Sequence, residues 1–96
     1  MRMSRRIGVY SGGGSFDGAV TIEPGETKVL KMHGLMGMLT TMRTNGTYSV
    51  RLMEYEYSSV INVESDSSIS VTKTANSYDI TITNNSNYSC DTLLLS

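Results

Sequence analysis

The stretch Ile69–Ser96, ISVTKTANSYDITITNNSNYSCDTLLLS, decides how this chain is read. Ile69 and Val71 alternate with Ser70 and Thr72. Tyr78, Ile80 and Ile82 alternate with Asp79, Thr81 and Thr83. A period of two sends one set to each face of an extended strand. Ala75-Asn76-Ser77 and Asn84-Asn85-Ser86-Asn87 supply turns, and Tyr88–Leu95 makes a last strand. Three strands at this spacing predict a meander.

Working outward, Val60, Ile61 and Val63 add one strand before these. Met36–Arg43 and Thr47–Tyr57 flank Asn45-Gly46, the dipeptide of a type I′ hairpin turn, in which both central residues need positive φ. Along the second of these strands Tyr48, Val50 and Leu52 share a face, after which the apolar phase moves to Met53, Tyr55 and Tyr57. Such a switch predicts a β-bulge, or a strand covered on both faces. Ala19–Ile22 is apolar and β-branched, and Glu23-Pro24-Gly25-Glu26 suits a type II turn. Thr27–Met32 then reads as the return strand of a hairpin, 19–32. Ile7–Tyr10 is a further short strand, followed by the break Ser11-Gly12-Gly13-Gly14-Ser15. No stretch has a 3.6-residue period. The expected fold is all-β: about eight short antiparallel strands in a two-sheet sandwich or jelly roll, without substantial helix. Residues 1–96 form one domain, with 1–6 a basic N-terminal arm.

With 96 residues the chain buries a thin core. Its single Cys90 makes no internal disulfide, and its single histidine builds no His-rich metal site. A small domain without such staples commonly gains stability by oligomerisation. The longest uncharged apolar run, Met32–Met42, has 11 residues, short of the roughly 20 a membrane helix needs. Arg2, Arg5 and Arg6 imitate the start of a secretory leader, but GVYSGGGSFDG follows where an apolar stretch belongs. The chain is therefore expected to be made in a cytoplasm, without signal peptide or membrane span. A net charge of −1 and many β-branched residues argue against disorder. The charge is unevenly spread, +3 over residues 1–48 and −4 over 49–96, which can steer contact between copies unless interleaved strands mix it.

The candidates for chemistry are few. GGGSFDG, residues 12–18, lacks the Lys and the following helix of a phosphate loop, and reads as a hinge. His33 and Cys90 are the available base and thiol, yet nothing nearby orients them, and Cys90 reads as a small buried hydrophobe. Glu54 with Glu56, or Glu64 with Asp66, could share a strand face and hold Ca²⁺ or act as acid and base, but a solvated strand face or a charged edge is the better reading. No catalytic residue, cofactor or metal ligand is assigned.

The candidates for contact are stronger. Arg2, Arg5 and Arg6 could meet phosphates, but a slightly acidic chain makes docking on a neighbouring subunit the better use, and nucleic acid is not expected. Met32, Met36, Met38 and Met42 crowd one segment. Its first reading is core; its second is a patch packed on another copy. Tyr55 and Tyr57 could stack on a sugar, which keeps a glycan ligand open. Asn45, Asn84 and Asn87 match the glycosylation pattern but read as turn residues.

The stretch Ser77–Ser96, SYDITITNNSNYSCDTLLLS, and the Glu23–Glu26 turn resemble small β-sandwich structural proteins of tailed-bacteriophage virions: fibres, tail or head accessory proteins. The resemblance implies a non-enzymatic structural role in a symmetric, multi-copy particle, with other copies and other virion proteins as partners. A trimer suits a fibre or spike. The expected interface residues are Arg2, Arg5, Arg6, Met36, Met38 and Met42. The rival expectations are a carbohydrate- or receptor-binding module using Tyr55 and Tyr57, and a small phage-encoded inhibitor of a host protein.

Overall fold

A computed structural model describes residues 19–96. The expected strand Ile7–Tyr10, the glycine run and the arm 1–6 lie outside the described residues. Among the described residues there are eight strands: β1 Val20–Ile22, β2 Thr27–Lys31, β3 Met36–Arg43, β4 Tyr48–Glu54, β5 Val60–Glu64, β6 Ile69–Thr72, β7 Asp79–Asn84 and β8 Cys90–Leu95. All pairings are antiparallel. One sheet has five strands in the order β1-β8-β3-β4-β5; the other has three, β2-β7-β6. Of the two all-β architectures expected, the two-sheet sandwich is the one found.

The β3–β4 hairpin closes as expected, with a different turn. Gly46 has φ +90, whereas neither Thr44 nor Asn45 has positive φ. Gly46 N donates to Arg43 O and Arg43 N to Thr47 O, each at 2.8 Å. The loop is thus three residues with a left-handed glycine in third place, the alternative that widens the strand end by a bulge. Asn45 Oδ1 accepts Thr47 N at 3.1 Å, holding the turn from its side chain.

Two expected pairings give way. The turn at Glu23–Glu26 is type II, with Gly25 at φ +80 and Glu26 N donating to Glu23 O at 2.9 Å. It does not close a hairpin 19–32, because β1 pairs with β8 and β2 with β7. A type II turn splays its flanking strands against their natural twist, so here it sends the chain from one sheet to the other. The C-terminal meander also breaks. β6 and β7 pair, but β8 leaves for the five-stranded sheet.

Both crossings meet at Asn84, which is fully buried. Its Nδ2 donates to Ile22 O at 2.9 Å and Tyr88 O at 2.8 Å. Its Oδ1 accepts Ser86 N and Ser86 Oγ at 2.9 and 2.7 Å. Gly25 N donates to its carbonyl at 2.7 Å. One amide side chain therefore satisfies the backbone at two corners that no ladder covers.

The core between the sheets comprises Ile22, Met32, Leu39, Met53, Ile69, Ile80, Ile82, Cys90 and Leu94. The bulge expected in β4 is a register shift between Val50 and Arg51, opposite Glu64 and Asn62; the extra residue is Val63 of β5. Burial along β4 alternates through to Glu54 without a phase switch.

Candidate functional site

The five-stranded sheet is polarised in an unusual sense. Its inward positions include Thr41, Ser49 and Thr92, all with no exposed surface, and Arg51 at 5%. Thr41 faces Ser49 across β3–β4 and Thr92 across β3–β8. Thr41 and Ser49 hydroxyls bond each other. This hydroxyl row extends to Cys90, whose Sγ lies 4.0 Å from Thr92 Oγ1. Burial pushes the Cys90 thiol up, and hydrogen bonds with Thr92 and Thr41 partly oppose the rise.

Arg51 is the central polar group of that face. Its Nη2 donates to Asp66 O at 3.0 Å and Ile69 O at 2.9 Å, and its Nε to Asn62 Oδ1 at 2.9 Å. It thereby pins β5 and the loop leading into β6. Among the described residues its Nη1 has no hydrogen-bond partner. Burial pulls its proton affinity down, while Asp66 and Cys90 raise it. Arg43 grips Asp66 with two bonds, Nε to Oδ2 at 2.7 Å and Nη2 to Oδ1 at 3.1 Å. Lys73 is similarly buried and donates to Tyr55 O, Tyr57 O and Thr74 O. These buried cations act as clamps on loop carbonyls.

The outward positions of β3 are largely apolar. Met36, Met38 and Met42, spaced by two on β3, are 67, 38 and 51% exposed. The register sets Met38 opposite Leu52 and Leu95, and Met42 opposite Tyr48. Leu52 in turn faces Ile61, which is 61% exposed. Of the four methionines read first as core, only Met32 is buried. It packs under Gly37, where an added Cβ would stand 2.9 Å from Met32 Sδ. The other three are aimed away by strand alternation.

Between these side chains runs a shallow groove of about 690 Å³, lined among others by Met36, Met38, Leu52, Tyr57, Ile61 and Leu95. Glu54 stands at its edge. Outward charges on the sheet are Glu54, Glu64 and Asp91; among the described residues no Lys or Arg takes an outward position there. The outer face of the three-stranded sheet is of the ordinary kind, with Thr27, Thr81, Thr83, Ser70 and Thr72, a Lys31–Asp79 pair at 3.0 Å and one exposed apolar residue, Val29.

The remaining candidates are dispersed. β4 ends at Glu54, so Tyr55 and Tyr57 do not ride one strand. Tyr55 packs on Tyr78 with ring centres 4.4 Å apart, while Tyr57 is exposed at the groove. Glu56 sits in the turn beyond β4, off the strand face of Glu54. Glu64 is exposed, whereas Asp66 is buried in its pair with Arg43. His33 is exposed, and its backbone N donates to Ser96 Oγ at 2.8 Å. Cys90 is buried at the far end of β8, roughly 20 Å of strand away from Ser96. Among the described residues no three His, Cys, Asp or Glu side chains gather as metal ligands. No helix among the described residues is long and apolar enough to cross a membrane. Arg2, Arg5 and Arg6 lie outside the described residues.

The sequence reading missed Leu52, Ile61 and Leu95 as members of the Met38 surface. Each is visible as an apolar strand residue, but only register shows that they adjoin. No protein-family model matches the chain, and neither does any curated protein or any solved structure.

Proposed function

We infer that this chain is a non-enzymatic assembly protein that covers the outer face of its five-stranded sheet against another copy of itself. One observation supports the reading above all: on β3 and β4 the outward positions are more apolar than the inward ones. Met36, Met38, Met42, Tyr48, Leu52, Ile61 and Leu95 are each 38% exposed or more, while Thr41, Ser49 and Thr92 are buried. Removing apolar surface from water contributes roughly 25 cal/mol per Å², so covering these seven side chains is worth on the order of 5–10 kcal/mol before the cost of association. The Thr-rich outer face of the other sheet, in the same chain, makes no such demand.

Charge favours a second copy as the cover. Residues 19–96 carry −3, and the outward charges of the sheet are all acidic, whereas residues 1–10 carry +3. The chain thus holds both complementary parts. The likeness of Ser77–Ser96 to tailed-phage structural proteins suggests the setting, a fibre, tail or capsid accessory part in which a trimer is the expected closed ring.

Light scattering on the full chain at micromolar concentration tests self-association. A discrete oligomer is expected; a stable monomer overturns the reading. Mass spectrometry of purified particles tests the virion setting. A glycan-binding reading draws on one feature, the exposed Tyr57 beside Ser59 and Glu54 in the groove. Glycan-array signal lost in Tyr57→Ala would favour it.

A further inference from the structure

Register arranges the outer face of the five-stranded sheet in rows that cross the strands. Leu95 of β8 lies beside Met38 of β3, Met38 beside Leu52 of β4, and Leu52 beside Ile61 of β5. At this level the sheet is four strands wide, because β1 pairs only with Cys90, Asp91 and Thr92. The row is therefore apolar from one margin to the other, three strand spacings or about 14 Å. Met36 and Glu54 form the row on one side of it; Leu93, Thr40, Val50 and Glu64 form the row on the other, and Asp91, Met42 and Tyr48 the next. Carboxylates stand outside the apolar row: Glu54 at the end of β4, Glu64 on the edge strand, and Asp91, which accepts from Thr21 Oγ1 at 2.8 Å. An apolar centre inside a charged rim is the anatomy of a buried contact.

Resting on the self-association reading, we propose that two copies stack these faces about a two-fold axis running along the strands, so that β3 lies over β4 of the second copy and β8 over its β5. Leu95 then meets the second copy's Ile61, and Met38 its Leu52. Each contact is made twice, as an isologous interface requires. Met42 meets Tyr48 in the same way, and Met36 meets Glu54 at the strand ends, where the carboxylate keeps water. No two carboxylates oppose each other. Glu64 comes over Leu93, and Asp91 over a level that β5 does not reach, since β5 ends opposite Val50. An axis across the strands instead would lay Glu64 on Ile61 or Glu54 on Val50.

The edge of β5 offers less. Val63 bulges from its ladder and Glu64 ends it, and both features turn an edge away from a further strand. The face itself measures about 14 Å across and about 20 Å along β3 from Met36 to Met42. That supplies no more than one standard contact, which takes ~800 Å² per partner. A ring of three would divide the face between two neighbours, so it favours a pair over the trimer that suits a fibre.

The test uses the full chain, changed at exposed positions. Leu95→Cys and Ile61→Cys chains, treated with a two-carbon bis-thiosulfonate, are expected to link when mixed and not when either is treated alone, because packed sheets stand only about 10 Å apart. The double variant is expected to link as a dimer and stop there. Cys90 is buried and stays out of the reaction. Met38→Glu and Leu52→Lys are each expected to weaken association by about tenfold or more. An equal mixture of those two chains is expected to regain it, since the mixed pair sets the new charges together. No link in the cysteine mixture, links in either single-cysteine sample, a linked trimer, or a charged mixture that stays apart would overturn the two-fold stacking. In each of these cases the wild-type oligomer persists and the self-association reading stands; a monomeric wild type removes both.

Discussion

Arg51 shows what a buried charge does in a thin core. Its guanidinium donates to the carbonyls of Asp66 and Ile69 and to the Asn62 side-chain amide. Removing it leaves the Ile69 carbonyl without that donor and unpins the loop, while Asp66 O keeps its bond from Ile69 N at 3.1 Å. Arg51→Ala is expected to destabilise the fold by about 3 kcal/mol, seen as a lower urea midpoint with unchanged slope. A variant as stable as wild type would mean that the carbonyls find water. Cys90 gives a second residue-scale prediction. Burial raises its folded-state pKa, so the unfolded chain loses the thiol proton first as pH rises. Stability from this group is complete below the unfolded value of about 8.5 and is lost as pH climbs from there through the folded value. Native protein should react with a disulfide reagent only slowly, and unfolded protein at once. Cys90→Ser should remove the alkaline loss that belongs to the thiol. A native thiol that labels within seconds at neutral pH would contradict its burial.

At the scale of elements, the corners between sheets set the topology. Gly25 has positive φ with no atom within 4 Å of where a Cβ would stand. Gly25→Ala therefore tests backbone strain alone, and is expected to cost about 1–2 kcal/mol. Asn84→Ala removes two donors and two acceptances at the same corner, and is expected to cost more, about 2–4 kcal/mol. Thermal or urea unfolding of the pair measures the order; Gly25→Ala as the worse variant would mean that the amide network is dispensable. The turn chemistry here was legible in Glu23-Pro24-Gly25-Glu26, since Pro followed by Gly specifies type II. The strand partners were not. The splay of a type II turn was a usable hint that β1 and β2 part, though local sequence names no new partner. The same holds for β7 and β8, where the length of the Asn85–Ser89 connection permits either a hairpin or a crossing.

For the whole molecule, the outer face of the five-stranded sheet should be separable from the fold. Leu52→Lys alters an exposed side chain on a ladder that the backbone maintains. It is expected to shift the protein toward monomer in light scattering while moving the unfolding midpoint of the monomer by no more than about 0.5 kcal/mol. An apolar dye should bind weakly to the concentrated wild-type oligomer and more strongly per chain on dilution, as the face is uncovered. Dye binding independent of dilution would place the association elsewhere.

The sequence by itself determined strand identity and most turns, because a period of two and the φ demands of Gly, Pro and Asn are properties of neighbouring residues. It also brought Met36, Met38 and Met42 onto one side of one strand. Only the tertiary structure decided which side faced inward. Alternation divides a strand into two faces without saying which is buried, and on β3 and β4 the less apolar set went inside, where Thr41 and Ser49 bond each other across the hairpin and Arg51 bonds Asn62 and the carbonyls of Asp66 and Ile69. Pairing across 40 or more residues, as between Met38 and Leu95, is likewise a property of the packed sheets, since it depends on where two corners send the chain.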